Sequence, residues 1–398
     1  MRVGTANSYD STISNLNTRQ GDLVDLQEKL SAGKRVVRAS DDPTGAAQAE
    51  RAMTRTDRIE VEQRALNLQR NAMVAAEATL GDANSVLQTL RDLVIAAGDG
   101  IYNPVNRSSI ASQMRGLRDQ LFALSNRLDT NGVPLFGGLA SALEPFTDLV
   151  AGVSFNGLSG QRAASTVAIP SVLDGQAIWM NVPSGNGVFN IALGGANGGR
   201  LWTDTGQVLS PTALTGNDYT LSFSVNAATG ATTYDIVNAS TATTVAAGQA
   251  YVDGQDIAFD GLSFTAHGAP ADGDTLQLTA STRTDLFAVV DAAIAGVDGA
   301  GNDAALSQAI ALALTEIDAG MDRLQSARGF AGDLLNRADN IDNRQEAKVL
   351  QLAADRSRAE DMDMVQGISD FQNQQTGYDA ALRTYAQVQR LSLFNYLG

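Results

Sequence analysis

Residues 59–94, IEVEQRALNLQRNAMVAAEATLGDANSVLQTLRDLV, carry an apolar side chain at every seventh position. These side chains are Ile59, Leu66, Met73, Leu80, Leu87 and Val94. A seven-residue apolar repeat forms a narrow stripe on a helix, and the stripe keeps facing a partner only where helices supercoil around each other. The stretch therefore predicts a long helix packed in a coiled coil or a helical bundle.

The same rhythm recurs after this stretch and near the other end of the chain. Steps of four and three residues separate Ile110, Met114, Leu117, Leu121, Leu124 and Leu128. Similar steps separate Ile368, Phe371, Gln375, Tyr378, Leu382 and Tyr385. We therefore expect an elongated α+β protein, in which terminal helices come back together as a coiled-coil or helical-bundle rod and enclose a β-rich inserted domain.

Capping signals give the helix bounds in the first third of the chain. Residues 8–31 predict an amphipathic helix that ends at Ala32-Gly33, since glycine is the usual left-handed stop. Asp42 before Pro43 predicts the next start, because an aspartate accepts from first-turn amides and proline presets φ. We expect one helix from there to about Ala97, a break over 98–104, and an antiparallel helix over 106–130.

The middle of the chain predicts strands. Residues 219–225 alternate apolar and hydroxyl side chains, which is the period of a half-buried strand, and 226–230 predicts a turn. Helical sequence returns near Thr284-Asp285 and continues to the end, with a break over 296–302 and further breaks left open near Gly329 and Gly332.

Composition excludes several classes of function. The chain has 398 residues and a formal net charge of −16, a field that repels nucleic acid and anionic membrane surfaces. It has no cysteine, which excludes disulfides, thiolate nucleophiles and zinc–sulfur sites. No run is long enough to cross a bilayer, and the N-terminus lacks an apolar leader, so we expect residence in the cytoplasm or export without a cleaved signal peptide.

No motif predicts catalysis. The single histidine, His267, is expected in a surface loop, and the glycines of 194–199 lack the Gly-Lys-Ser/Thr ending of a phosphate loop. Asp272-Gly273-Asp274 predicts a turn rather than a calcium loop, because no glutamate closes a twelve-residue site. We expect no enzyme activity, cofactor or metal. The terminal aromatic side chains fit either a core or faces buried between subunits, and we favour the second.

Several motifs resemble one family. The run LSAGKRVVRASDDP at 30–43 is similar to the N-terminal signature of flagellins and flagellar hook-associated proteins. Its SDDP form, in place of the K-D-D-A usual in flagellins, and the ending QVQRLSLFNYL at 387–397 resemble the hook-associated junction branch. NRLDTNG at 126–132 and PLFG at 134–137 agree with the same family. The resemblance covers about 1–144 and 284–398.

The resemblance implies three layers. Residues 1–42 with 353–398 would form an inner coiled-coil layer, residues 43–144 with 284–352 a helical rod domain, and residues 145–283 a β-rich outer domain, of which 145–204 belong partly to the rod. It also implies an extracellular place in the bacterial flagellum, at the junction of hook and filament, after type III export. The implied partners are identical subunits, a FlgK-type junction protein, flagellin and an export chaperone on the C-terminal helix.

The resemblance and the apolar faces together predict an assembly interface. Its predicted residues are Ile13, Leu16, Leu23, Leu30, Lys34, Arg35, Asp41, Asp42, Pro43, Ile368, Phe371, Tyr378, Leu382, Tyr385, Leu391 and Phe394.

Two alternatives stay open. A flagellin, the subunit of the filament itself, shares the terminal pattern. A glycan-binding or enzymatic β domain carried on an axial scaffold is the third hypothesis, in which Trp179 and Trp202 would stack on sugars; buried sheet positions explain both tryptophans more simply.

Overall fold

The computed structural model describes residues 3–99, 103–140 and 143–397, with side chains described between residues 10 and 387. The chain divides into two compact units, one formed by Met1–Ala65 with Asn340–Gly398 and the other by Leu66–Asp339. The first unit contains the predicted assembly residues, and the second contains the strands. The three-layer division stays a prediction.

The helices agree closely with the capping signals. They are α1 (Val3–Ala32), α2 (Pro43–Ala97), α3 (Pro104–Ser125), α4 (Gly175–Trp179), α5 (Leu286–Gly299), α6 (Asp303–Glu360) and α7 (Met364–Leu397). The predicted start at Pro43 and end at Ala97 are confirmed. The break before α6 is shorter than expected, and α6 continues through Gly329 and Gly332 without interruption.

The helix predicted over 106–130 ends earlier, at Ser125. Asn126 is the reason, because its side chain is committed to another segment. Its Nδ2 donates to the Phe146 carbonyl at 2.9 Å, and its Oδ1 accepts from the Phe146 amide at 2.9 Å. The main chain after Asn126 then forms a turn, in which the Asp129 amide donates to the Val133 carbonyl.

The strands lie within residues 146–284. They are β1 (Phe146–Leu149), β2 (Gly152–Phe155), β3 (Val182–Pro183), β4 (Phe189–Leu193), β5 (Trp202–Thr203), β6 (Gln207–Val208), β7 (Tyr219–Val225), β8 (Thr232–Asn238), β9 (Thr243–Ala250), β10 (Asp256–Phe259), β11 (Leu262–His267), β12 (Thr275–Ala280) and β13 (Arg283–Thr284). Strands β1 and β2 form a hairpin, and β3 pairs with β13.

Two larger sheets share one apolar core. The first has the order β4-β12-β7-β8-β9, and in the second β11 pairs with β10, β5 and β6, all antiparallel. The alternation predicted for β7 is confirmed, since Tyr219, Leu221 and Phe223 are buried while Ser224 is exposed. Their neighbours in the core include Phe264 from the second sheet and Leu276 from β12.

From Leu66 onward, the predicted apolar seam forms the helical core of the second unit. Leu66, Met73, Leu80, Leu87 and Val94 are all at most 2% exposed. Their partner is helix α6 of the same chain, which runs antiparallel to α2. The direction follows from two ion pairs, Arg70 with Asp339 at 3.2 Å and Arg91 with Asp318 at 2.8 Å. The heptads therefore describe an intramolecular helix pair here.

Buried polar side chains of α6 hold the β-rich segment. Gln308 Oε1 accepts from the Thr203 amide at 2.7 Å, and Glu316 Oε1 accepts from the Gly185 amide at 2.8 Å. Gly185 has φ +60°, a left-handed conformation that suits glycine. Burial raises the pKa of Glu316, since the charged carboxylate loses its hydration.

For three residues singled out from the sequence, the structure departs at least in part from the expectation. His267 is the last residue of β11, and it stacks on Trp202 with ring centroids 4.4 Å apart, so the prediction of a surface loop is wrong. Trp179 is fully buried as expected but belongs to the short helix α4, where it packs parallel to Phe287. Trp202 lies in β5 and is only partly buried.

The glycine-rich stretch binds a carboxylate of its own chain. Asp274, only 2% exposed, accepts from the amides of Gly198 at 2.8 Å, Gly199 at 3.1 Å and Ala271 at 2.8 Å. The amides that a phosphate would need are thus occupied, which agrees with the predicted turns. Within the described ranges, no cluster of His, Asp and Glu suits a metal ion, and no helix is long and apolar enough for a membrane span.

Candidate assembly interface

The loop between α1 and α2 begins with a Schellman cap. Gly33 has φ +67°, its amide donates to the Leu30 carbonyl, and the Lys34 amide donates to the Lys29 carbonyl at 3.1 Å. This pair of bonds satisfies carbonyls at the end of α1 that have no partner inside the helix. The glycine stop predicted from the sequence is confirmed at this position.

Arg35 connects the loop to the end of α6. Its amide donates to the Glu360 carbonyl at 2.7 Å, and its guanidinium donates to the Ala359 carbonyl at 2.9 Å. The same guanidinium forms an ion pair with Asp42 at 3.0 Å. The Met362 amide donates back to the Gly33 carbonyl at 3.1 Å. The loop is therefore bound to the α6–α7 junction by main-chain and side-chain bonds.

Asp41 and Asp42 are both engaged inside the unit. Asp41 Oδ2 accepts from the Arg38 amide at 2.9 Å and from the Val37 amide at 3.1 Å. These bonds, the Arg38 amide first, lower the pKa of Asp41. Asp42 Oδ1 accepts from the Thr44 and Gly45 amides in the first turn of α2, which confirms the predicted helix cap.

The pKa of Asp42 is also lowered. The Gly45 amide is the largest cause, and the side-chain bond from Arg35 follows. Both groups favour the charged carboxylate. The acidic pair of the SDDP motif is therefore explained by the local fold, without any catalytic role.

Further ion pairs surround this loop. Arg38 bonds both carboxylate oxygens of Glu28, at 2.8 and 2.7 Å, and Lys34 lies 3.2 Å from Glu360. Several of the loop side chains predicted for contacts between subunits thus have partners within their own unit. Pro43 is exposed at the first position of α2. Their role between subunits stays a prediction.

Helices α1 and α7 pack on each other in antiparallel directions. A methyl group placed on Gly367 would lie 3.1 Å from the Leu30 side chain, and one on Gly377 would lie 2.9 Å from the Arg19 guanidinium. Contacts therefore move towards the N-terminus of α1 as α7 proceeds. The two helices bring most of the predicted apolar residues into one pair.

The α1–α7 pair leaves its apolar faces uncovered. Ile13, Ile368 and Leu382 are 41%, 48% and 39% exposed. The other predicted apolar residues with described side chains are half-buried: Leu16, Leu23, Leu30, Phe371, Tyr378 and Tyr385. No described side chain of residues 10–32 is buried, and among residues 364–387 only Gly367 is. The side chains of Leu391 and Phe394 lie outside the described residues.

Sequence reasoning did not find two parts of this site. Val24 and Val365, 59% and 82% exposed, add to the uncovered apolar surface, but they lie off the predicted seam. The bonds from Arg35 to Ala359 and Glu360 were also missed. No local pattern signals a contact between segments that are so far apart in sequence.

Comparison with known proteins agrees with this geometry. Residues 3–141 match the family described as the bacterial flagellin N-terminal helical region. The flagellar hook-associated protein 3 of Salmonella typhimurium is 30% identical over 155 residues, which is 38% of this chain and 48% of the relative. Flagellin 1 of Proteus mirabilis is 30% identical over 132 residues, 33% of this chain and 36% of the relative. The chain spans about half the length or less of these curated relatives.

A solved structure extends the similarity beyond the N-terminal region. The crystal structure of the flagellar junction protein FlgL from Legionella pneumophila is similar with a TM-score of 0.68 at 25% identity. The matched region is 74% of this chain and 99% of that protein. The helical ends and the β-rich middle are thus features of one shared fold.

Proposed function

We propose that this chain, which belongs to the family of flagellins and flagellar hook-associated proteins and has the FlgL-type fold, is a structural junction subunit of the bacterial flagellum. It would join the hook to the flagellin filament through packing of its terminal helices. The proposal rests on the similarity to hook-associated protein 3 and on the uncovered α1–α7 pair.

One observation carries this proposal. Every described residue of the predicted α2 seam is buried, whereas the seams of α1 and α7 have no buried side chain in the described ranges. Helices in proteins gain most of their stability from burying an apolar face. The α1–α7 pair therefore needs further apolar surface, and neighbouring subunits of an axial assembly would supply it.

The partners follow from the same proposal. They are identical subunits, a FlgK-type junction protein on the hook side and flagellin on the filament side. An export chaperone would cover the C-terminal helix before assembly, since its apolar face would otherwise contact water. Export would proceed through the flagellar type III apparatus without a cleaved signal peptide. The role is structural, without an enzymatic step.

A flagellin is the second candidate function, because 132 residues, a third of the chain, also resemble Flagellin 1 of Proteus mirabilis. The two candidates differ in amount and in place. A filament subunit is repeated along the whole appendage, whereas a junction subunit occupies a thin zone at the distal end of the hook.

The test is immunoelectron microscopy of intact appendages with an antibody to the β-rich segment, combined with the amount of the chain in sheared filaments. We expect label confined to the hook–filament boundary and a trace amount in the filament fraction. Label along the filament with the chain as its main protein would assign a flagellin. Absence from the appendage would overturn both.

A further inference from the structure

Two grooves flank the contact between α2 and α6 inside the unit of residues 1–65 and 340–398. Ala52, Ile59 and Leu352 are buried at this contact. One groove encloses about 470 Å³ and the other about 550 Å³. Residues 48, 51 and 55 line the first, and residues 53, 57 and 60 line the second. Successive helix positions are 100° apart, so these two sets lie on opposite sides of Ala52.

The first groove is basic. Arg51, Arg55 and Arg358 line it together with a single acid, Asp355, which pairs with Arg358. Within the described chain, the guanidinium groups of Arg51 and Arg55 form no ion pair and no hydrogen bond. Two exposed arginines thus project without partners, in a chain whose net charge is −16. We name this surface the basic groove.

The second groove is acidic. Asp57, Glu60, Glu360 and Asp361 line it, against two cations. Both cations, Lys34 and Arg356, are already paired with Glu360, at 3.2 and 2.6 Å. The carboxylates of Asp57 and Glu60 have no partner in the described part of the chain. We name this surface the acidic groove.

The two grooves have opposite charge and similar size. The basic groove has three cations and one anion, and the acidic groove has four anions and two cations, so their net charges are equal and opposite. Complementary surfaces on opposite sides of one helix pair cannot meet within a copy, but they can meet between copies. Contacts of this head-to-tail kind generate closed rings or helical arrays.

We infer that the basic groove of one copy binds the acidic groove of the next copy, with Arg51 and Arg55 facing Asp57 and Glu60. This contact rests on the proposed function, and it gives that function a lateral interface distinct from the apolar α1–α7 surface. Charges arranged in this way mainly fix register and partner choice, because like charges brought together are strongly unfavourable.

Charge reversal tests the contact in cells whose own copy of the gene is deleted. We expect R51E/R55E and D57R/E60R each to lower the amount of chain on purified appendages by about tenfold or more, since like charges would then face each other. The four-residue variant that combines them restores opposite charges and should recover most of the loss. The variant R162E/R283E is the matched control for R51E/R55E, because it makes the same change in net charge at two exposed arginines outside both grooves. It should assemble normally.

Cross-linking separates this contact from the junction function. The chain has no cysteine, so single cysteines report cleanly. Purified full-length R55C and D57C copies, mixed at high concentration with a short thiol cross-linker, should form mixed dimers at low salt and fewer at high salt. R55C alone, D57C alone and a mixture of R162C with D57C are the controls.

Each outcome bears on the inference. Normal assembly of either double reversal would overturn the inferred contact. Failure of the combined variant to recover would overturn it as well, and would indicate that a different chain occupies the grooves. R55C dimers as abundant as mixed dimers would also overturn it. Mixed dimers from a chain that is absent from the appendage would refute the junction function and leave the contact intact.

Discussion

Arg35 donates to the last turn of α6 through its amide and its guanidinium, and Asp42 accepts from both Arg35 and the first turn of α2. At the residue scale, this one pair joins the loop to the ends of two long helices. The Asp42 cap was predictable, because a cap depends on the next three residues. The bond from Arg35 to Ala359 was not, since 324 residues separate the two.

Gly45 shows how closely these segments approach. Replacing a glycine in a helix with alanine normally stabilises the folded protein by roughly 0.5–1 kcal/mol. In Gly45→Ala the new methyl group would lie 2.7 Å from Asp42 Oδ2 and 3.0 Å from the Ala359 carbonyl. We expect a loss of about 1–3 kcal/mol in place of the gain. Urea unfolding checks this, together with faster hydrogen exchange at the amides of Arg35 and Val36.

Gly329→Ala is the control for this substitution. Gly329 is exposed on α6 and has no neighbouring atom within 4 Å of the added methyl group, so the usual helix gain should appear. Equal stabilisation by both substitutions would contradict the close packing at Gly45.

The lowered pKa of Asp42 predicts an acid-sensitive start of α2. A carboxylate whose pKa is lowered by folding contributes its full stabilisation above its ordinary pKa of 3.8 and loses it as the pH falls through the lowered pKa. We expect the amides of Thr44 and Gly45 to lose protection in that acidic range, measured as hydrogen exchange corrected for intrinsic rate. In Asp42→Asn this step should be absent; if it persists, another group is responsible.

At the element scale, the contrast between α2 and the terminal helices is the main feature. Both kinds of helix carry apolar heptads, and the sequence predicted both as helices. Only the α2 seam is buried against another helix of its own chain. A heptad pattern specifies that a partner exists, but it does not specify whether that partner belongs to the same chain. The exposure of Ile13 and Ile368 therefore could not be predicted from the sequence and is seen only in the structure.

The strands show a similar division between local and distant information. Alternation predicted the buried face of β7, because side chains of a strand alternate between two faces. The placement of β12 between β4 and β7 depends on pairings between distant segments, for which the sequence has no local signal. His267 was assigned to a loop because of the Gly-Ala-Pro that follows it, although β11 extends to the histidine itself.

Glu316 on α6 provides a test at the same scale. Burial raises the pKa of Glu316, so the folded state binds its proton more tightly than the unfolded state does. Its ionisation therefore destabilises the fold as the pH rises from its ordinary pKa of 4.5 through the raised pKa. Glu316→Gln keeps an acceptor for the Gly185 amide and removes the charge.

We expect Glu316→Gln to increase stability at pH 7 by on the order of 1 kcal/mol, the usual size of an effect at one buried polar group. The gain should vanish in acid, where Glu316 is protonated. Thermal unfolding at both pH values measures it. Glu346→Gln, at an exposed position of the same helix, is the control and should change little. Destabilisation at pH 7 would mean that the charged carboxylate is required.

At the scale of the whole molecule, the two compact units have different relations to assembly. The unit of residues 66–339 contains the apolar core of the sheets and the α2 seam from Leu66 to Val94. The other unit contains α1 and α7, whose apolar faces lie open. Folding and assembly should therefore be separable by changes confined to one unit.

Deletion of residues 369–398 tests this separation. It removes most of α7 and leaves residues 66–339 unchanged. Both tryptophans, Trp179 and Trp202, lie in that second unit, so their fluorescence should report an unchanged fold. We expect loss of incorporation into the appendage. A truncated chain that still joins hook to filament would refute the assignment of the C-terminal helix to assembly.

Hydrogen exchange of the full chain, dilute and then assembled, tests whether α1 and α7 are stabilised by neighbouring copies. In the dilute monomer, amides of residues 10–32 and 364–387 should exchange fast, because these helices bury no described side chain apart from Gly367. Amides of residues 66–97 should exchange slowly, since their seam is buried. Assembly should slow exchange in α1 and α7 and leave residues 66–97 of α2 unchanged. Equally slow exchange in all three helices of the dilute monomer would show that α1 and α7 are stable without neighbouring copies.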